Sequence, residues 1–216
     1  MLVAAAVCPP TPLIVLQLDD LRAACHDAIA ALRDARPDVL IVVGGAESTS
    51  TYGGQTAGTL RPWGMDVTVG HGEPVLPLSL TVGRWLLGGR APDGFRSVAL
   101  DATSAECRIL GEELGKSAEK VALLVMADGS ACLSPRAPGK YDDAAEPYND
   151  LIANAIAHAD PGALATLDPA QAERLWVSGR AALQVLAGAA GSRGFEGRLL
   201  METAPYGVGY FAGLWS

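Results

Sequence analysis

Three runs in this chain are apolar at nearly every position: LVAAAV at residues 2–7, VLIVV at 39–43, and VALLVM within KVALLVM at 120–126. Successive side chains of a strand point to opposite faces, so a half-exposed strand alternates apolar with polar residues. A run that is apolar on both faces has to be covered on both. Strands of a parallel sheet enclosed between helices have this character. The runs therefore constrain the chain to a layered α/β architecture before any motif is considered.

The segments between them fit. Leu18, Leu21, Cys25, Ile29 and Leu32 share one face of a helix over 18–35, with Asp19 or Asp20 as its cap and Pro37 beyond its end. His26 falls near that apolar face. The first strand, this helix and the strand at 39–43 read as a βαβ unit, which implies a parallel pair with a right-handed crossover. Residues 46–64 are rich in Gly, Ser and Thr and read as a long loop. Strands are expected at 65–69 and 95–100, and a helix at 76–87 ending at Gly88-Gly89. Thr103 and Glu106 have the spacing of a capping box ahead of a further helix.

After a loop at 127–141, helices are expected at 143–159, 169–178 and 180–190, the middle one opened by Asp168-Pro169. His158 closes the first of these, where a cation favours the helix dipole. Two strands, 197–203 and 207–214, end the sequence. No repeat or linker interrupts it. The expectation is a single α/β domain over residues 1–216, with a central, mostly parallel sheet flanked by helices and a C-terminal strand pair.

Composition narrows the function classes. Formal net charge is −8 and no basic stripe occurs, which argues against nucleic acid as a partner. No apolar run approaches the roughly 18 residues of a membrane span. The apolar N-terminus lacks a basic region and breaks at Pro9-Pro10, so it reads as a strand rather than a signal peptide. Cys8, Cys25, Cys107 and Cys132 have no metal-ligand spacing and read as reduced, buried thiols. Cytoplasmic localisation is the expectation. The tryptophans Trp63, Trp85, Trp176 and Trp215 are expected mostly in the core.

Open α/β sheets bind ligands outside the carboxyl ends of their strands. The polar and Gly-rich residues expected there are Thr11, Gly44, Gly45, Glu47, Tyr52, His71, Glu73, Asp128, Ser130, Glu202 and Tyr206. Asp128, Ser130 and His71 are the candidates for catalysis. Asp128-Gly129-Ser130 also reads as a strand-ending turn, in which Asp128 accepts backbone N–H bonds. His71 and Glu73, at i and i+2, could supply two metal ligands, one short of a competent site. Ser130 lacks the GxSxG setting of a hydrolase nucleophile. Arg136 and Lys140 read as solvated loop charges.

The opening strand followed by CPPTPLIV, then VLIVVGG, VALLVMADGSA and the C-terminal APYGVGYF, resembles in order and spacing the LigB-like class III extradiol ring-opening dioxygenases. The likeness runs over nearly the whole chain and includes alanine-rich members from high-GC bacteria. It implies an active-site cleft in which two histidines and a carboxylate hold Fe(II), with a third histidine as acid/base. At the matching positions this chain has Pro10, Gly44 or Gly45, and Ala131. Glu202 and Asp142 are the candidates for the carboxylate. Fe(II) or Zn would be the family-type cofactor, and with those histidines missing none is expected.

The leading expectation is a degenerate member that keeps a strand-end cleft for a small molecule without opening rings. Three alternatives stay open. They are metal-independent acid/base or hydrolytic chemistry in the same cleft, an Fe(II) enzyme with displaced ligands, and a non-catalytic homo-oligomeric or interaction subunit.

Overall fold

The computed structural model describes residues 1–216. The strands are β1 (Leu2–Cys8), β2 (Val39–Ala46), β3 (Ser50–Gly53), β4 (Thr56–Thr59), β5 (Thr68–Val69), β6 (His71–Pro74), β7 (Gly94–Ala99), β8 (Val121–Met126), β9 (Gly197–Thr203) and β10 (Tyr210–Trp215). The helices are α1 (Leu13–Leu16), α2 (Asp19–Asp34), α3 (Leu78–Leu86), α4 (Ser104–Gly115), α5 (Ala145–His158), α6 (Pro161–Ala165), α7 (Pro169–Arg174) and α8 (Arg180–Ala190).

Seven strands form one sheet in the order β3-β7-β2-β8-β1-β10-β9. The four central strands, β7, β2, β8 and β1, run parallel, while β3 and β10 join antiparallel at either side. Every residue of β8 is buried, as its unbroken apolar run demands. Its side chains alternate between two cores. Val121, Leu123 and Val125 pack with α4, α5 and α8, whereas Ala122, Leu124 and Met126 pack with α2 and α3. The C-terminal pair β9–β10 is antiparallel, as expected.

Several expectations need correction. β1 and β2 are parallel but not neighbours, because β8 lies between them and pairs with both. Residues 46–64 are not one loop. They contain β3, β4 and a 3-10 turn at Arg61–Trp63, and β4, β5 and β6 form a small second sheet. The strand expected at 65–69 contracts to Thr68–Val69. The helix expected at 169–178 ends at Arg174, and the short helices α1 and α6 were not anticipated.

Helix ends follow local chemistry. The capping box before α4 is complete: Thr103 Oγ1 accepts the Glu106 N–H, and the Glu106 carboxylate accepts the Thr103 N–H at 2.8 Å. Thr103→Ala is expected to cost about 1 kcal/mol, measurable by urea denaturation. Asp160 and Asp168 cap α6 and α7 by the same chemistry. At α2 the cap residue is Leu18, with φ of 66°, and Asp19 and Asp20 lie in the first turn instead. His26 faces solvent, because it sits one residue past the inward-facing Cys25. His158 ends α5, where its ring meets the Asn154 carbonyl at 2.9 Å.

All four cysteines are free and buried. Trp215 is in the core, Trp85 is half-buried, and Trp63 and Trp176 are exposed. No helix is long and apolar enough to cross a membrane.

Candidate functional site

The connections leaving neighbouring central strands go to opposite faces of the sheet. α2 and α3, which follow β1 and β2, cover one face. α4 and the α5–α8 segment, which follow β7 and β8, cover the other. The carboxyl end of β8 is therefore flanked on both sides by a reversal of direction. That is where an open α/β sheet leaves a crevice. Asp128 lies there, two residues past β8.

Backbone bonds fix this turn from two sides. Ala127 N–H donates to the Cys8 carbonyl at 2.8 Å, tying it to the end of β1. Gly129 N–H donates to Gly209 O at 2.7 Å, and Gly209 N–H donates to Ser130 O at 2.9 Å, tying it to the turn before β10. Gly179 brings a third segment in. A Cβ on Gly179 would lie 2.3 Å from the Asp128 carbonyl oxygen and 2.6 Å from its nitrogen, so only glycine permits the approach. The Ser178 hydroxyl then donates to Asp128 Oδ1 at 2.5 Å.

The Asp128 carboxylate is half-buried, and burial pushes its pKa up to about 6. Hydrogen bonds from Ser178 and from the N–H groups of Asp128 and Gly179 pull the other way without cancelling this. Beside it, the buried Tyr210 hydroxyl donates to Thr11 Oγ1 at 3.3 Å. Burial raises the Tyr210 pKa. The negative charge of Asp128 adds to this. Tyr206 is exposed at the rim and donates to Gln17 Oε1 at 3.2 Å.

The expected site residues separate into groups. Thr11, Gly44, Gly45, Asp128 and Tyr206 are placed at the carboxyl ends of the parallel strands or at the turn before β10. Ser130 is near in sequence but fully buried. Its hydroxyl donates to Leu175 O at 2.7 Å and accepts Cys132 N–H at 3.0 Å, so both of its roles serve the backbone. A nucleophile needs a free hydroxyl beside a base, and Ser130 has neither. Glu47 is exposed in the loop after β2, and Tyr52 sits half-buried on the edge strand β3.

His71 and Glu73 are exposed on β6 in the small sheet. His71 is thus the first residue of a strand. Glu202, on β9, lines a separate cavity of about 300 Å³ with Tyr141, Asp142, Asp143, Glu146 and Asp150. Its pKa is raised by burial and by the charge of Asp150. Arg136 and Lys140 are exposed.

Ser178, Gly179 and Tyr210 were not among the residues singled out in the sequence. The first two stood at the seam between two expected helices, and the third inside an expected strand.

The donors for Fe(II) or Zn are missing from this crevice. Pro10 is buried and offers no ligand atom. A Cβ at Gly44 would lie 2.6 Å from Ser79 Oγ and 2.7 Å from Ser79 Cβ. One at Gly45 would lie 2.7 Å from Leu100 Cδ2 and 3.0 Å from the Ser178 carbonyl oxygen. No group of three or more His, Cys, Asp and Glu side chains placed to hold a metal ion occurs in the chain. The residues present do not fit a three-ligand metal centre. Nor is a reactive thiol at hand. Cys8, at the end of β1, has its pKa raised by its contact with Cys25 and by burial, and such thiols are inert.

The fold defines a class, that of open α/β domains with a mixed, mostly parallel sheet. No protein-family model and no curated protein matches the chain. Among solved structures, the uncharacterized protein JW3007 from Escherichia coli K12 is similar, with a TM-score of 0.60 and 13% identity over 99% of each chain. At that identity the likeness is one of fold.

Proposed function

We propose that this chain is a metal-independent relative of the class III extradiol ring-opening dioxygenases that binds a small organic molecule in the strand-end crevice and does not open rings. The observation that carries the reading is the set of residues at the strand ends. Two polar pairs, Ser178 on Asp128 and Tyr210 on Thr11, stand in that region, while the positions the resemblance assigns to histidines are Pro10, Gly44 or Gly45, and Ala131. Packing supports it too, since Ser79 and Leu100 occupy the space that side chains at Gly44 and Gly45 would need. The acidic charge is unfavourable for nucleic acid. Four free thiols suit a reducing compartment such as the cytoplasm.

Elemental analysis of protein purified aerobically and anaerobically tests the reading, together with a catechol assay using protocatechuate. Substoichiometric iron, manganese and zinc and no yellow product are expected. One equivalent of iron with ring-opened product would overturn it.

A second reading is favoured by one group. A half-buried carboxylate with a pKa near 6 is suited to accept a proton near neutral pH. In that case Asp128 is the base of a metal-independent reaction. Turnover would rise as pH passes upward through about 6 and vanish in Asp128→Asn. A flat pH profile across that range would exclude it.

A further inference from the structure

A second feature adjoins the crevice. Beyond the carboxyl end of β7, a groove of about 660 Å³ runs between Leu100-Asp101 and the segment from α7 to α8. Its volume is that of a site for a drug-sized molecule. Ser178 lines it and also holds Asp128, so groove and crevice share a wall.

The groove carries two features that work against stability. Trp176 is 59% exposed and Leu100 48% exposed, which leaves large apolar side chains in water. Trp176 also has a φ of 52°. It occupies the position after α7 where the chain turns back, with its N–H on Glu173 O at 3.1 Å and the next N–H on Ala172 O at 2.8 Å. Glycine is the usual residue there, because a side chain at positive φ is strained. A bulky residue held in such a conformation and exposed beside a cavity points to function.

The charges indicate what the groove takes. Asp101 and Glu173 line it, and neither is in an ion pair. One cation is present, Arg180, which is 2% exposed. Its guanidinium donates to the carbonyls of Leu100 and Ala102, each at 2.5 Å, and to Gln184 Oε1 at 3.1 Å. It is thus engaged with the loop behind the wall. Asp101 and Glu173 at the groove and Asp128 beyond Ser178 outnumber it.

We infer that this groove binds an organic ammonium ion with a flat apolar body, stacked on Trp176 against Leu100 with its charge toward Glu173 and Asp101. An aromatic face attracts a cation through its quadrupole, and carboxylates lacking a partner reinforce this. The assignment rests on the strand-end region being a metal-independent binding site, and it names the ligand class.

Three probes of one ring system separate the charge states: tryptamine (cation), tryptophol (neutral) and indole-3-acetate (anion). Isothermal titration calorimetry is expected to show tryptamine binding roughly ten-fold more tightly than tryptophol, with no measurable binding of the acetate. Trp176→Gly is expected to lose tryptamine binding while the melting temperature rises, since the backbone strain is relieved and no core is opened. In the Asp101→Asn, Glu173→Gln double variant the cation and the neutral probe should come within roughly three-fold of each other.

Equal or tighter binding of tryptophol or the acetate would overturn the charge assignment. Binding that survives Trp176→Gly would overturn the site. Absence of binding by all three at millimolar concentration would overturn both. These outcomes are independent of the metal analysis, so a wrong ligand class and a wrong metal-free reading are told apart.

Discussion

Asp128→Asn is expected to raise the melting temperature by about 3–10 °C at pH 8 and to leave it nearly unchanged at pH 4. The sign follows from linkage. Burial places the folded-state pKa near 6, above the ordinary 3.8 of an aspartate. Between these values the folded protein holds more protons than the unfolded chain, so this group's contribution to stability falls as pH rises from about 4 to 6 and is level above that. Two pKa units correspond to about 3 kcal/mol at neutral pH. An amide carries no such penalty, although it cannot accept on both arms, so about 1–3 kcal/mol is the expected gain. Thermal melts of both proteins from pH 4 to pH 8 check it. Retention of a destabilising carboxylate where an isosteric amide fits is the pattern of residues kept for function. A lower melting temperature for Asp128→Asn at pH 8 would make Asp128 a structural residue.

Gly179→Ala is expected to be strongly disruptive for the addition of one methyl group. The added carbon would meet the Asp128 backbone, 2.3 Å from its oxygen and 2.6 Å from its nitrogen, and the Ala127 Cβ at 2.8 Å. These atoms belong to the turn that closes β8 and cannot rotate away. Either the turn or the start of α8 has to shift. A loss of about 3 kcal/mol or more is expected, beyond ordinary overpacking, or about 6–12 °C in melting temperature. The shift also parts Ser178 from Asp128 and removes hydrogen bonds that hold its pKa down, so the Asp128 pKa should rise further. A variant as stable as the parent would mean that this approach does not define the site.

Local pattern alone was enough for the elements that carry the crevice. β1, β2 and β8 were legible because each is a short apolar run, and α4 because Thr103 and Glu106 advertise its start. Asp128 was legible as the residue past the most apolar run of the chain. The small strands were not. β3 pairs with β7, forty-odd residues on, and β4 with β5 and β6. Their Ser-, Thr- and Gly-rich segments become strands through those partners and not through their own propensity.

The insertion of β8 between β1 and β2 is likewise a long-range choice, invisible in a βαβ pattern. Ser178 reaches Asp128 from fifty residues away. It does so because Gly179 lets two backbones touch, and nothing in the sequence around Ser178 announces that contact. His71 and Glu73 show the converse. Their spacing was legible, but that they would lie exposed on a strand of a small second sheet was not.

The central claim is that the crevice at the end of β8 is organised around Asp128 and not around a metal ion. Carboxyl-carbon NMR of Asp128, titrated from acid to mildly alkaline pH with and without one equivalent of diamagnetic Zn(II), addresses it most directly. The account predicts a midpoint near 6, unmoved by zinc. A midpoint at the ordinary aspartate value, or one displaced by stoichiometric zinc, would contradict it.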